Sequence, residues 1–489
     1  MIWNAVQDDL PSVPRVRRLV PAPAGLAGTV ELTAAHLDAR AHTVTEFERS
    51  LDGLVRQAHL GRHALVAALS TALGDRYGEE EIEAHRLGGV DVVVATLLWR
   101  VPGYSLRPEY VRRHRGHEEC AQGGLELVVA ARVREIGYAL LSGDLLPFLL
   151  ATPTWETGAL EAGELVGRLA EYRRLGARPG PADFGQALLR VRRDDPVAAE
   201  AAARLGTPEG ERLAAWLGPE GEPGTARRRV VEPGPSAHRA WARAGAAIPQ
   251  VAFVSGERSV LRREFPEAFH WLGHPHEGFT QCYHWHEGHA VRAAVLPEDR
   301  DAQAAWLLPA VTLAATAGDH GGSWMLPRLA RLGGFAGPAL HAAVAAGLGG
   351  RYPESRRPAV EALLVLAARG ELDAPLLGRE LAAMVALGTV KPNRLADAAR
   401  AAVAAGAYAT LWAVLAEVLP ALLPSARGAG EILAVAAECV ERCGATGPVP
   451  EGVAAVAARP GSSRLVAQAR RLSCALAGDR PSGAGHGGQ

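Results

Sequence analysis

The sequence predicts an all-α fold in which helical hairpins stack on one another. Three observations lead to this prediction. Apolar residues make up 48 % of the 489 residues but aromatic residues only 5 %, and a core of small aliphatic side chains suits packed helices better than sheets. Apolar residues recur with helical spacing through the second half of the chain. Glycines interrupt that spacing at even intervals.

The first 40 residues are rich in proline and glycine, which predicts a loose N-terminal arm over 1–40. Helical stretches then predict an N-terminal helical block over 41–217. Its first clear helix is expected near Thr45, where Thr45 and Glu48 have the spacing of a capping box. A later helix is expected to begin at Pro181, because proline suits the first helical turn.

Residues 218–300 have a different composition, in which helical spacing fades and glycine, proline, histidine and aromatic residues are frequent. The segments Arg228–Glu232 and Gln250–Ser255 have the composition of short strands. The sequence therefore predicts a loop-rich junction with short strands between two helical blocks.

Residues 301–478 carry the strongest helical signal. Gly370, Gly388 and Gly406 are each 18 residues apart, and each fits a left-handed cap at the end of a helix. Two such intervals make a hairpin of roughly 36–40 residues, the size of an α-solenoid repeat. We therefore expect a HEAT-like α-solenoid of stacked hairpins here, followed by a disordered tail at 479–489.

Several stretches also resemble a known group of sequences. They include Arg357–Asp373, Gly388–Arg394 and Leu149–Trp155. Together they resemble a family of uncharacterised bacterial proteins with a domain of unknown function and a HEAT-like fold, across 45–480 and most specifically across 355–475. The resemblance implies gene neighbours that encode a MoxR-type AAA+ ATPase, a von Willebrand A domain and a SWIM zinc finger. It therefore implies an adaptor that works with such an ATPase system, and it carries over no catalytic residue.

A histidine-rich segment is the main candidate for chemistry. Six histidines and Cys282 lie between His270 and His289, and the pattern His-x-His-Glu-Gly occurs twice, ten residues apart. On extended backbone, residues two apart face the same way, so each pair could hold one metal ion such as zinc. The alternative is a histidine-rich loop that covers a helix. The run from His286 to His289 is one residue short of the His-Glu-x-x-His motif of zinc proteases, so it lacks that helical geometry. The candidate ligands are His274, His276, His284, His286 and His289.

Other reactive patterns are weak. His117 and Cys120 are three residues apart, but adjacent glutamates would raise the pKa of the thiol. Cys439 and Cys443 share a helix face and are interpreted as buried thiols. The sequence contains no phosphate loop, dinucleotide fingerprint or nucleophile elbow. We therefore expect neither an enzyme nor a bound cofactor.

The N-terminus has no signal-peptide pattern, and the long uncharged run Leu332–Gly350 contains glycines and a proline, so we expect a cytoplasmic protein without a membrane span.

The favoured interpretation is a non-catalytic scaffold or adaptor that works through protein–protein contacts. A nucleic-acid-binding HEAT-like protein is the alternative, because arginines cluster at Arg112–Arg115 and Arg227–Arg229. The net charge of −1 speaks against it. A metal-binding protein that uses the histidines is third. A basic concave groove would favour the alternative, and three convergent histidines would favour the third.

Overall fold

A computed structural model describes residues 7–39, 43–78, 80–107, 121–219, 226–231, 248–274, 289–318, 322–423 and 428–478. Helix accounts for 66 % of these residues, and the sheet found among them has two strands. The prediction of an all-α chain is therefore confirmed. Both strands lie inside the junction that the sequence predicted.

The elements fall into two helical blocks and a junction between them. The N-terminal block contains α1 (Leu26–Asp38), α2 (Val44–Tyr77), α3 (Val90–Leu97), α4 (Ala121–Ser142), α5 (Ala162–Leu175), α6 (Pro181–Arg190), α7 (Pro196–Ala203) and α8 (Pro208–Leu217). The junction contains β1 (Ala226–Val231), β2 (Gln250–Ser255), α9 (Ser259–Arg263), a 3₁₀ helix at Glu267–Gly273 and α10 (His289–Ala293). The C-terminal block contains α11 (Arg300–Thr316), α12 (Leu326–Arg331), α13 (Pro338–Leu348), α14 (Pro353–Ala368), α15 (Ala374–Leu387), α16 (Pro392–Ala404), α17 (Tyr408–Leu422), α18 (Ala429–Cys443), α19 (Val453–Ala457) and α20 (Arg464–Ala477).

The long helix α2 begins two residues earlier than its predicted capping box. Its cap is Thr43, whose hydroxyl accepts from the backbone N–H of Glu46 at 3.1 Å, while the Glu46 carboxylate accepts from the backbone N–H of Thr43 at 3.4 Å. The predicted box of Thr45 and Glu48 is wrong, because Glu48 points into the core. Further along, Pro181 occupies the first turn of α6, as the sequence predicted.

The N-terminal segment departs from the loose arm predicted over 1–40. Residues 26–38 form α1, which packs on α2. Residues 7–24, the arm, form no helix and are hydrogen-bonded to both blocks. The Asp8 carboxylate accepts from the backbone N–H of Thr410 at 3.1 Å, and the N–H of Leu19 donates to the carbonyl of Thr154 at 2.8 Å. Composition alone could not indicate these long-range partners.

The two strands of the junction pair in antiparallel register, with Arg228 opposite Phe253. Phe253 is buried, and β2 packs on α11, α13 and α15. The three consecutive arginines of β1 are exposed. One of them, Arg228, binds the Glu380 carboxylate of α15 at 2.7 Å and so ties the sheet to the C-terminal block.

The C-terminal block consists of two rows of helices in which each helix packs on the next helix but one. One row contains α11, α13, α15 and α17, and the other contains α12, α14, α16, α18 and α20. Alanine, leucine and valine fill the space between the rows. Gly370, Gly388 and Gly406 all have positive φ at helix ends, which confirms the predicted caps.

No helix in the described part of the chain is both long and apolar enough to cross a membrane. The tail at 479–489 lies outside the described residues.

Candidate functional site

The predicted metal ligands fall mostly outside the residues that the structure describes. His276, His284 and His286 are outside, and the side chain of His289, the first residue of α10, is outside as well. His274 is exposed at the end of the 3₁₀ helix. Within the described ranges, no group of three histidine, cysteine or acidic residues could hold a metal ion. The metal site therefore stays a prediction about a segment that has no described geometry.

Of the two predictions about cysteines, one falls on described residues and the other does not. Cys439 and Cys443 are buried in α18, as their spacing predicted, and burial raises the pKa of both thiols. A thiol that is harder to ionise is a weaker nucleophile and a weaker metal ligand, so both side chains act as core residues. His117 and Cys120 lie outside the described residues.

A buried charge network holds the N-terminal block together. Glu48 of α2, Arg132 of α4 and Asp183 and Arg190 of α6 are almost fully buried. Arg132 reaches Glu48 and Asp183 at 2.8 Å each, and Arg190 reaches Glu48 at 2.7 Å. Burial alone would raise the pKa of Glu48, but the two guanidinium groups outweigh it, so that pKa lies below its ordinary value. The carboxylate therefore stays ionised and paired.

The same network fixes an irregular segment, Phe148–Thr152. The Asp183 carboxylate accepts from the backbone N–H of Leu150 at 2.5 Å, and Arg190 donates to the carbonyl of Ala151 at 2.7 Å. Arg190 also donates to the carbonyl of Ala294 at 2.8 Å, on the segment that leads into the C-terminal block. Buried backbone without regular structure needs such partners. The network therefore has a structural role, because it holds α2, α4, α6 and this segment together.

A concave feature lies between the two blocks and along the arm. It consists of two adjoining cavities of about 730 Å³ and 510 Å³, which share Thr157 and Arg331. Arm residues 13–16 line the first cavity, and Arg17, Arg18 and Val20 of the arm line the second. We call the two cavities together the cleft. Its other walls come from the N-terminal block, from Glu298, from the α12–α13 region and from residues at the C-terminal end of α14.

Arginine dominates the lining of the cleft. Nine arginines and five acidic residues line it, although the chain as a whole has a net charge of −1. The arginines are Arg15, Arg17, Arg18, Arg49, Arg192, Arg193, Arg328, Arg331 and Arg369, and the acidic residues are Glu46, Glu156, Asp194, Glu298 and Glu371. A concave surface with an excess of one charge attracts ligands of the opposite charge.

One carboxyl group in the first cavity is strongly perturbed. Burial raises the pKa of Glu298 to about 7, and the nearby Arg192 and Arg193 only partly offset that rise. Glu298 packs against two glycines of the α12–α13 loop. A Cβ at Gly333 would lie 2.1 Å from its carboxylate, and one at Gly334 would lie 2.1 Å from its carbonyl oxygen. The glycines therefore let the loop close over Glu298 and shape the cavity.

Sequence reasoning missed the cleft because its arginines come from five separate segments of the chain. Two local signals were present. The arm contains the basic run Arg15-Val-Arg-Arg18, and Arg328 and Arg331 have the three-residue spacing that places side chains on one helix face. Neither signal reveals that the arm folds back beside α12. Of the arginine clusters predicted from sequence, Arg112–Arg115 lies outside the described residues and Arg227–Arg229 lies on β1.

The structure thus defines an all-helical protein of two blocks with an arginine-lined cleft between them. A family model described as a domain of unknown function (DUF7824) matches residues 40–252. This range contains most of the N-terminal block, including the charge network, whereas the resemblance seen in the sequence was most specific over 355–475. No curated protein and no solved structure matches the chain. The match over residues 40–252 is consistent with a domain of an uncharacterised family, and the implied bacterial origin and ATPase neighbours stay predictions.

Proposed function

We propose that this chain is a non-catalytic adaptor that binds a partner protein in the arginine-lined cleft. The observation that carries the proposal is the cleft itself, where nine arginines and five acidic residues line a concave surface between two helical blocks. Charged clefts speed the encounter with partners of opposite charge and set their orientation. Binding of this kind needs no reactive side chain.

The proposal includes a HEAT-like α-solenoid for the C-terminal block. Contacts between each helix and the next but one support it, because stacked hairpins produce two such rows. The glycine caps at even spacing support it as well. A solenoid offers an extended surface, and one wall of the cleft would be a small part of that surface.

The partner system follows from the resemblance seen in the sequence. It would be a cytoplasmic AAA+ ATPase with a von Willebrand A domain protein, to which this chain would contribute a binding surface. The resemblance alone supports this part of the proposal.

A second candidate function, nucleic-acid binding, is favoured by the same excess of arginine. Two features of the cleft weigh against it. Carboxylates are interspersed among the arginines and would repel a continuous phosphate backbone. Single-strand binders also stack bases on open aromatic rings, whereas the Trp155 ring in the cleft is covered by the Arg18 guanidinium at 5.0 Å. The metal-binding function stays third, because it rests on the histidine-rich segment.

Affinity purification of the tagged protein from its host tests the proposal. We expect a specific protein at stoichiometric levels, and we expect its recovery to be lost in the double variant Arg15→Glu/Arg193→Glu. The matched control is Arg379→Glu/Arg459→Glu, which reverses two exposed arginines outside the cleft lining. Both double variants should keep the wild-type melting temperature.

Two outcomes would contradict the adaptor function. One is equal recovery of the partner by both double variants. The other is tight binding of duplex DNA at physiological salt together with no protein partner, and this outcome would establish the second candidate instead.

A further inference from the structure

The second cavity of the cleft holds more positive charge than its own acidic residues neutralise. Its lining has two carboxylates, and both are engaged. Glu46 accepts from the hydroxyl of Thr43 at 2.9 Å, and Glu156 pairs with Arg17 at 3.2 Å. Neither carboxylate therefore serves the arginines on the α12 side of the cavity.

Most arginines around this cavity also have partners. Arg18 pairs with Glu161 at 2.6 Å, Arg49 donates to the carbonyl of Pro21 at 3.0 Å, and Arg331 pairs with Glu361 at 2.7 Å. Arg328 is the exception, because its guanidinium makes no hydrogen bond or ion pair with any residue in the described ranges. Its half-buried guanidinium therefore lines the cavity without a counter-charge.

A partly buried arginine without a counter-charge lowers the stability of the folded protein. Burial lowers the pKa of Arg328, and the nearby positive charge of Arg331 lowers it further. Proteins usually pair a buried charge or place it where a ligand will pair it. Since α12 presents both arginines to the same cavity, their guanidinium groups can bind one anion together.

We propose that Arg328 and Arg331 form an anion subsite that binds a side-chain carboxylate of an extended acidic segment in the partner protein. This inference rests on the proposed function and names the chemistry of the partner. The planar guanidinium group can donate two parallel hydrogen bonds to a carboxylate. Such a pair would replace the counter-charge that Arg328 lacks.

The shape of the cleft favours an extended peptide. The arm lines the cleft with residues 13–18 and Val20, a stretch of backbone that spans about 25 Å when it is extended. Val13, Val16 and Val20 of the arm give this wall an apolar component. A peptide with alternating acidic and apolar side chains matches such a lining better than a nucleic acid with a charge on every residue.

Fluorescence anisotropy with a labelled oligoglutamate peptide, at low ionic strength, tests the subsite. We expect Arg328→Gln to weaken binding about tenfold, because one charge-assisted contact is lost. Arg379→Gln is the matched control and should bind like the wild-type protein, since Arg379 is exposed and lies outside the cleft lining. A second variant, Thr157→Glu, adds a carboxylate at the point where the cavities meet and should weaken binding without any change at Arg328.

Equal affinity of the wild-type, Arg328→Gln and Thr157→Glu proteins for the peptide would overturn the subsite. So would single-stranded DNA that binds more tightly than oligoglutamate and loses affinity in Arg328→Gln, because the ligand would then be a phosphate polymer. These results are separable from failure of the adaptor function. A cellular partner that is lost in Arg15→Glu/Arg193→Glu would keep the adaptor, even if the peptide ignored Arg328.

Discussion

The two helical blocks are stabilised by different interactions. In the N-terminal block, Glu48, Arg132, Asp183 and Arg190 form a buried charge network that links α2, α4 and α6 with an irregular segment. In the C-terminal block, alanine, leucine and valine side chains fill the space between two rows of helices. Both blocks have apolar cores, but the N-terminal block depends in addition on a few precise long-range polar contacts, whereas the contacts between the rows of the C-terminal block are mostly interchangeable apolar ones.

This difference predicts how far the effect of a substitution extends in each block. Each helix of the rows contacts only nearby helices, so a defect there should stay local. The charge network joins elements that are far apart in sequence, so loss of one member leaves its partners buried and unpaired. The walls of the cleft come from both blocks, and its shape should therefore be more sensitive to the network than to the rows.

The largest expected effect is that of Glu48→Gln. Removing this charge leaves Arg132 and Arg190 buried without their shared partner, and we expect the free energy of unfolding to fall by about 4 kcal/mol. Urea unfolding measures the change. Glu441→Gln, which removes an exposed partner of Arg471, is the control and should have little effect. A loss at Glu48 no larger than that of the control would show that the network does not stabilise the block.

Leu415→Ala should lower the free energy of unfolding by a slightly smaller amount, about 3 kcal/mol. Leu415 is a fully buried residue of α17, and its truncation leaves a cavity in the core. Its signature should differ from that of Glu48→Gln. Hydrogen exchange should speed up in α15, α17 and α18 while the N-terminal block stays protected. Equal acceleration in both blocks would contradict the local character of the rows.

Glu298→Gln should have an effect that depends on pH. The pKa of Glu298 is raised to about 7 in the folded protein from an ordinary value of 4.5, so the folded state binds this proton more tightly than the unfolded state. The resulting stability is full below pH 4.5 and is lost as pH rises through 7. Glutamine mimics the protonated acid, so the variant should gain about 2 kcal/mol over wild type at about pH 8.

The same comparison at about pH 5 should give little difference between Glu298→Gln and wild type. Urea unfolding at the two pH values measures both. A difference that is the same at both values would mean that Glu298 does not carry the raised pKa. Arg192, Arg193, Asp194 and Arg300 surround this group and are unchanged in the variant.

The smallest effect expected is that of Asp8→Ala. Asp8 caps the first turn of α17 through the backbone N–H groups of Ala409 and Thr410, and loss of such a cap costs about 1 kcal/mol. Limited proteolysis should then cut the arm faster, while the N-terminal block stays intact. An arm that resists cleavage as well as wild type would show that Asp8 does not anchor it.

The two blocks also differ in how much of them the sequence could reveal. Helical spacing and the glycines Gly370, Gly388 and Gly406 predicted the helices and breaks of the C-terminal block, because these signals are local. The capping box of α2 was misplaced by two residues. Glu46 and Glu48 are chemically identical in the sequence, and only the burial of Glu48 in the structure shows that it does not cap the helix. The arm and the cleft could not be predicted, because Asp8 meets its partners about 400 residues away. The histidine-rich segment gave the clearest sequence pattern, and it stays a prediction.

The central claim, that a partner protein binds in the cleft, is tested most directly by photo-crosslinking in the host. Phe335 directly follows the lining residues Gly333 and Gly334 in the sequence and is 72 % exposed, and Leu60 on α2 is similarly exposed at 74 % but has no lining residue next to it in the sequence. A photoreactive phenylalanine analogue at position 335 should capture one defined protein, and the capture should disappear in Arg15→Glu/Arg193→Glu. The same analogue at position 60 should capture no such product. Equal products from both positions, or a product at 335 that survives the double charge reversal, would contradict the claim.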